Sequence, residues 1–413
     1  MATSGYLGLP LTFGQIPDFA SQYYYDLIST HIGIEQRLEL AAERYKSILS
    51  DPRVQELEGK LVRCGFTFSL FTAKHLIAWW SWRANLVGPE EANADLEAYL
   101  AESEIEFVAA AWLHGIEIAQ SIQLAEDITL LHPSDLPNYP DKQIALQSRA
   151  FNLLRNSVPR CLLCRRVRLR KLPGIEEKHD FQSDVQQTFL DVGLIINAMP
   201  ELHCSVGWRT GYMPDNVPLG MFGGMAGSST ISDVVLTLEC QASQESFRDF
   251  PLIKERFDQL SSSWKTRVRG CLSRLGQAKG RTSNADKSLD LGIALEMVLL
   301  DSEHGGSELP GQLNAHFRAR GAWLLGKDFE ERQEIYALLG KIYSWRSQVA
   351  HTGGLAPSSV RSSSFNEDFN RALRLAERLV RKLIVEGPPN DWKQVTLGMH
   401  MESKEPPEAN QSH

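Results

Sequence analysis

The chain has 413 residues, of which 43% are hydrophobic and 23% charged, enough apolar material for two to three globular domains. A formal net charge of −8 excludes wholesale coating of nucleic acid, but not a local basic groove, because phosphate binding depends on where the charge sits. Six cysteines scattered over this length form no disulfide framework and read as reduced thiols, which points to the cytoplasm.

Residues 1–245 read as a mixed α+β region. The opening MATSGYLGLPLTFG carries neither the basic n-region nor the continuous apolar run of a secretory signal. IEQRLELAAERYKSIL predicts a helix, with Ile34, Leu38, Ala41 and Tyr45 on one side. FTFSLFTAKHLIAWWSWR is the most membrane-like run. Lys74 and His75 interrupt it and Arg83 ends it, so it falls short of the roughly 18 apolar residues of a span, and no membrane contact is expected. Trp79, Trp80 and Trp82 stand too close together for one helix face and are expected at a core edge or on a partner surface. EIEFVAAAWLHGIEIA predicts a second helix, while SIQLAEDITLL, CRRVRLRKL and DVVLTLEC read as strands. Pro214–Thr230, rich in Gly and Pro, predicts a long loop, and Gly220–Gly227 within it lacks both the P-loop ending and the dinucleotide pattern.

Two features of this region bear on chemistry. Cys161 and Cys164 form a CxxC, but a structural zinc site needs about four ligands. The nearest further candidates, His203 and Cys204, lie nearly forty residues on without a second CxxC, so no metal or other cofactor is expected. In RRVRLRK, strand geometry places Arg166, Arg168 and Arg170 on one face and Val167 and Leu169 on the other. Such a face either grips RNA phosphates or is simply solvated.

From about Phe247 the strand-like runs stop and helical periodicity dominates to about Val385. Helical segments are expected at Phe250–Ala278, Ala285–Leu300, Leu309–Leu325, Phe329–Ala350 and Asn366–Val385. The second places Leu289, Ile293, Met297 and Leu300 along one stripe. The fourth places Ile335, Leu338, Leu339, Ile342 and Val349 at helical spacing and stops at Gly353 and Gly354. This predicts an α+β protein: a mixed domain over 1–245, an all-helical domain over 246–390 and a polar, disordered tail over 391–413.

The fourth segment ends in YSWRSQVAHTGG, with Arg346, Ser347 and His351. The spacing R-x4-H is common by chance, and both cations suit the C-terminal end of a helix dipole. An ordered set of neighbours makes it more specific. KSLDLGIALEMVLL with Glu296, FRARGAWLLG with Arg320, IYSWRSQVAHTGG with Tyr343, Arg346, Ser347 and His351, and the closing LIVEGPPNDWKQVTLG follow one another as in the Apea-like branch of the HEPN superfamily, which this chain resembles over residues 250–398. WLHGIEIAQSIQLAEDITLLHPSDLP is similar, more loosely, to the β-containing region ahead of such domains. Thr352 stands where the family's usual glycine follows the histidine.

The resemblance implies a HEPN helical domain and a metal-independent endoribonuclease. Such an enzyme cleaves RNA by 2′-hydroxyl attack, leaving a 2′,3′-cyclic phosphate and a 5′-hydroxyl. It also implies an antiviral, abortive-infection role, a homodimer with a composite cleft, and a phage-derived or nucleic-acid trigger at the N-terminal domain. His351 suits proton transfer near neutral pH, and Arg346 suits phosphate charge. Ser347 suits a phosphate hydrogen bond. Glu296 and Arg320 are expected as a supporting pair or as a surface ion pair, and Tyr343 as a core aromatic or a base-stacking ring. On an ideal helix the spacing turns about 140°, so convergence of Arg346 and His351 relies on the length of the arginine, on the helix ending near the histidine, or on a second copy. The alternative is a non-catalytic HEPN dimer that docks nucleic acid or protein. A zinc-dependent enzyme is a third reading.

Overall fold

The computed structural model describes residues 43–64, 67–135, 160–172, 180–218, 240–300, 310–356, 364–389 and 391–396. The protein is α+β. After a helical stretch over 43–50, the chain forms α1 (Pro52–Leu57), the hairpin β1 (Leu61–Cys64) and β2 (Thr67–Leu70), then α2 (Ala73–Val87) and α3 (Pro89–Ala101). Asp51 starts α1 by accepting the Arg53 N–H, with Pro52 in the first turn, where its missing N–H costs no helical bond.

The main sheet has five antiparallel strands in the order β5 (Ile122–Ala125), β6 (Ile128–Leu131), β7 (Cys161–Arg170), β3 (Glu104–His114) and β8 (Ser205–Tyr212). A separate parallel pair joins β4 (Ile116–Ile118) to β9 (Cys240–Ala242). EIEFVAAAWLHGIEIA is therefore not the expected helix but β3 and β4, separated by Gly115 at φ 89°. The reason is that β3 is buried on both faces. Ile105, Phe107, Ala109, Ala111 and Leu113 join the main core, while Val108, Ala110 and Trp112 form a second cluster with Leu162 and Cys164. A strand covered on both sides has no polar alternation, and its continuous apolar run reads equally well as a helix. The expected strands SIQLAEDITLL and CRRVRLRKL appear as the β5–β6 hairpin and as β7. Of DVVLTLEC only Cys240 lies within the described residues.

Helix α4 (Asp180–Ile196) leads to β8, and the C-terminal region is helical: α5 (Phe250–Gln259), α6 (Ser262–Gly280), α7 (Asn284–Leu299), α8 (Pro310–Leu325), α9 (Phe329–Thr352), α10 (Ser364–Glu386) and α11 (Trp392–Thr396). The disordered tail expected from residue 391 thus begins with a helix instead, because Trp392 and Val395 are buried in the core. The single long helix expected from Phe250 to Ala278 is two. Ser261 caps α6 by accepting the Trp264 N–H at 3.4 Å, and a serine side chain competing for backbone hydrogen bonds favours a new start over a continued helix.

The stripe expected for α7 is also wrong. Leu291, Ala294, Leu295, Val298 and Leu299 are buried, whereas Met297 is among the exposed large hydrophobics. The segment is apolar nearly all round, so several stripes fit helical spacing. The inner one is that whose small residues let α6 and α9 approach. In α9 the expected Ile335, Leu338, Leu339, Ile342 and Val349 are all buried. One continuous core runs from Phe189 and Ile195 of α4 through Phe250, Leu272 and Leu295 to Leu379 of α10. No helix among the described residues is long and apolar enough to cross a membrane.

Candidate functional site

The C-terminal turns of α9 carry the motif residues. Trp345 fixes them: it is buried and lies against Phe365 and Phe369 of α10, with ring centroids 5.2 and 6.4 Å away. Arg346, next in sequence, turns toward α7. Its stem rests on Gly292, where a Cβ would fall 2.4 Å from Arg346 Cβ and 2.6 Å from Cγ. Its Nη2 pairs with Glu296 Oε2 at 3.0 Å. Gly292 and Glu296 stand one turn apart on α7, so one seats the aliphatic stem and the other the charged head.

The pair is partly shielded, with 32% of the Arg346 side chain and 19% of the Glu296 side chain exposed. Burial raises the Glu296 pKa above its ordinary value, and the charge and hydrogen bond of Arg346 pull it back only in part. Arg346 Nε is buried and has no hydrogen-bond partner among the described residues. A guanidinium has five N–H donors, so the Glu296 pair leaves donors for an anion.

Ser347 is half-buried, and His351 is exposed in the last turn of the helix. The helix does not end early at the histidine. It continues through Thr352, and Gly353 takes the left-handed cap position at φ 74° and ψ 1°, its N–H bonded to the Val349 carbonyl at 2.8 Å. The Thr352 hydroxyl lies 2.8 Å from the Gln348 carbonyl oxygen and 2.9 Å from that of Gly354. With regular helix between them, Arg346 and His351 point about 140° apart, while Ser347 and His351, four residues apart, share a face within about 40°. One copy of the chain brings Ser347 beside His351 and leaves Arg346 on the neighbouring edge.

The supporting residues divide differently from expectation. Glu296 takes Arg346, and Arg320 is used elsewhere: it is buried, donates from Nη1 to the Leu299 carbonyl oxygen at 2.8 Å, and lies 5.2 Å over the Trp392 ring. It therefore ties the end of α7 to α11. Tyr343 packs half-buried with its ring 5.6 Å from Phe317, as a core-edge aromatic. Sequence reasoning missed Gly292. A glycine inside a helix is destabilising by about 1 kcal/mol relative to alanine, and that oddity in SLDLGIALE is the signal of a close approach.

On β7, Arg166, Arg168 and Arg170 are exposed on one face, with Val167 and Leu169 turned to the other. Arg168 stands opposite Glu106 and Arg170 opposite Glu104 on β3, so the face carries both signs of charge. Cys161 and Cys164 are both buried, and no group of three or more His, Cys, Asp or Glu among the described residues is arranged to hold a metal ion. Trp79 and Trp80 are core residues, their ring N–H groups donating to the Asp215 carbonyl and Asn93 Oδ1. The side chains of Trp82, Lys74 and His75, and the loop Gly220–Gly227, lie outside the described residues. No known protein family, curated protein or solved structure matches the chain.

Proposed function

We propose that this chain is a metal-independent endoribonuclease of HEPN type, acting as a homodimer in which the ends of two α9 helices form one cleft. The observation that carries this reading is the guanidinium of Arg346, fixed by Gly292 and Glu296 yet keeping donors unspent, beside Ser347 and an exposed His351 on one helix end. A base takes the proton of the 2′-hydroxyl, which attacks phosphorus. The bond to the 5′-oxygen breaks, and that oxygen takes a proton from an acid. Two histidines serve these two ends of the reaction best, and a second copy supplies the second. Arg346 stabilises the charge gathering on the phosphoryl oxygens, and Ser347 hydrogen-bonds the same group. An abortive-infection role with a trigger bound at the N-terminal region is the biology this reading carries with it.

The separation of about 140° between Arg346 and His351 within one copy favours a second reading. In it the helix ends meet RNA or protein without cutting.

Incubation of wild type, Arg346→Ala and His351→Ala with total RNA in EDTA, followed by analysis of the fragment ends, separates the two. Fragments with 2′,3′-cyclic phosphate ends from wild type, reduced by about a hundredfold or more in both variants, are expected. Cleavage that persists unchanged in both variants removes the site, and RNA binding without cleavage favours the docking reading.

A further inference from the structure

All six cysteines fall within the described residues. Cys64, Cys161, Cys164, Cys204 and Cys271 are buried, and Cys240 alone is partly exposed. Cys240 opens β9, its N–H bonded to the Gly115 carbonyl at 2.8 Å, and its Sγ lies 3.0 Å from His203 Nδ1.

The approach of His203 is built by the turn that follows α4. Within it Glu201 sits at φ 61°, a left-handed position that a non-glycine residue holds at a cost of about 1 kcal/mol. The turn is held by Lys279 of α6, whose Nζ donates to the carbonyl oxygens of Asn197, Met199 and Leu202 at 2.8, 3.2 and 2.7 Å. Asn197 Oδ1 in turn accepts the Cys204 N–H at 2.8 Å. His203 is thus delivered to Cys240 on a pinned backbone.

Reactive thiols are those that can ionise and be reached. Burial pushes Cys64, Cys164 and Cys204 up to about 12 and raises Cys161 and Cys271 as well. Burial also raises Cys240, and the charge of Lys279 opposes the rise there as it does at Cys204, so partial exposure and the His203 ring are what set Cys240 apart.

We infer that Cys240 is the hydroperoxide-reactive thiol of this chain, with His203 as its base, forming a redox modification site separate from the end of α9. His203 Nδ1 takes the thiol proton, and the thiolate attacks the distal oxygen of the peroxide. The S–O bond forms as the O–O bond breaks. The departing oxygen takes the proton back from the imidazolium and leaves as water or an alcohol. Cysteine is oxidised to sulfenic acid and the peroxide is reduced. The inference rests on Cys240 and His203 alone, not on the nuclease reading.

The test exposes the reduced full-length protein to hydrogen peroxide at one equivalent, traps sulfenic acid with dimedone, and quantifies adducts at all six cysteines by mass spectrometry. The adduct is expected on Cys240 at about tenfold or more over any other cysteine, and its rate of formation falls by about tenfold in His203→Gln. Cys240→Ser abolishes it. Adduct spread evenly over the cysteines, concentrated elsewhere or absent in the wild type overturns the inference, whether or not the variants fold. An unchanged rate in a folded His203→Gln overturns the role of the base.

Discussion

Gly292 and Glu296 decide where Arg346 points, and Glu296 does so at an electrostatic cost that can be measured. Burial raises its folded-state pKa above the ordinary 4.5 despite the arginine. Between the unfolded and the folded value, the native state binds more protons than the unfolded state, so this residue's contribution to stability declines as pH rises through that window. Glu296→Gln cannot titrate and keeps an acceptor for the Arg346 N–H. The variant should therefore gain stability relative to wild type between pH 4 and pH 7, measured by urea unfolding at both. A flat difference, or one of opposite sign, would refute the burial argument.

At this scale the sequence singled out the candidate residues but not their partners. Arg346, Ser347 and His351 are visible as a motif. Which arginine meets Glu296 is not, because Arg320 and Arg346 both lie on helices flanking α7, and only packing around Gly292 selects between them.

The end of α9 sets the backbone on which His351 stands, and its two glycines differ in what they contribute. Gly353 occupies the left-handed cap, while Gly354 does not, and a Cβ at either position meets nothing within 4 Å. The penalty of Gly353→Ala is then backbone strain alone, about 1 kcal/mol, whereas Gly354→Ala should stay within about 0.5 kcal/mol of wild type. Thermal unfolding of the two variants side by side checks this. Equal losses would mean that the cap is not where the helix is held.

Elements with one wet face were legible: the β5–β6 hairpin, the arginine-bearing half of β7 and α9 each show their period in sequence. Elements enclosed on several sides were not. β3 lost its alternation to burial on both faces, and α7 offered more than one apolar stripe. The break between α5 and α6 rests on one serine cap, a local competition that a periodicity argument does not register.

At the scale of the whole molecule, Lys279 joins α6 to the turn after α4 and to α10. In sequence it is an ordinary basic residue near a helix end, and nothing in SRLGQAKG marks it as buried. In the fold only 6% of its side chain is exposed. It holds three carbonyls of the turn after α4 and pairs at 2.6 Å with Glu377 of α10, itself 4% exposed. Arg269 reinforces the same junction by gripping both oxygens of Asp191 on α4, at 2.7 and 2.8 Å. Burial pulls the Lys279 pKa down, and the Glu377 carboxylate pushes back.

Removing one partner of such a pair leaves the other charge buried and, here, takes a donor from three carbonyls, of which Met199 keeps the Leu202 N–H. Lys279→Met should thus cost about 3–5 kcal/mol, read from the urea midpoint at constant m-value. Replacing both charges, as Lys279→Met with Glu377→Leu, removes the stranded carboxylate but not the unmet carbonyls, so it should recover only part of that loss. A single variant that loses less than about 1 kcal/mol would mean that the apolar core running from α4 to α10 holds the junction without its polar anchor.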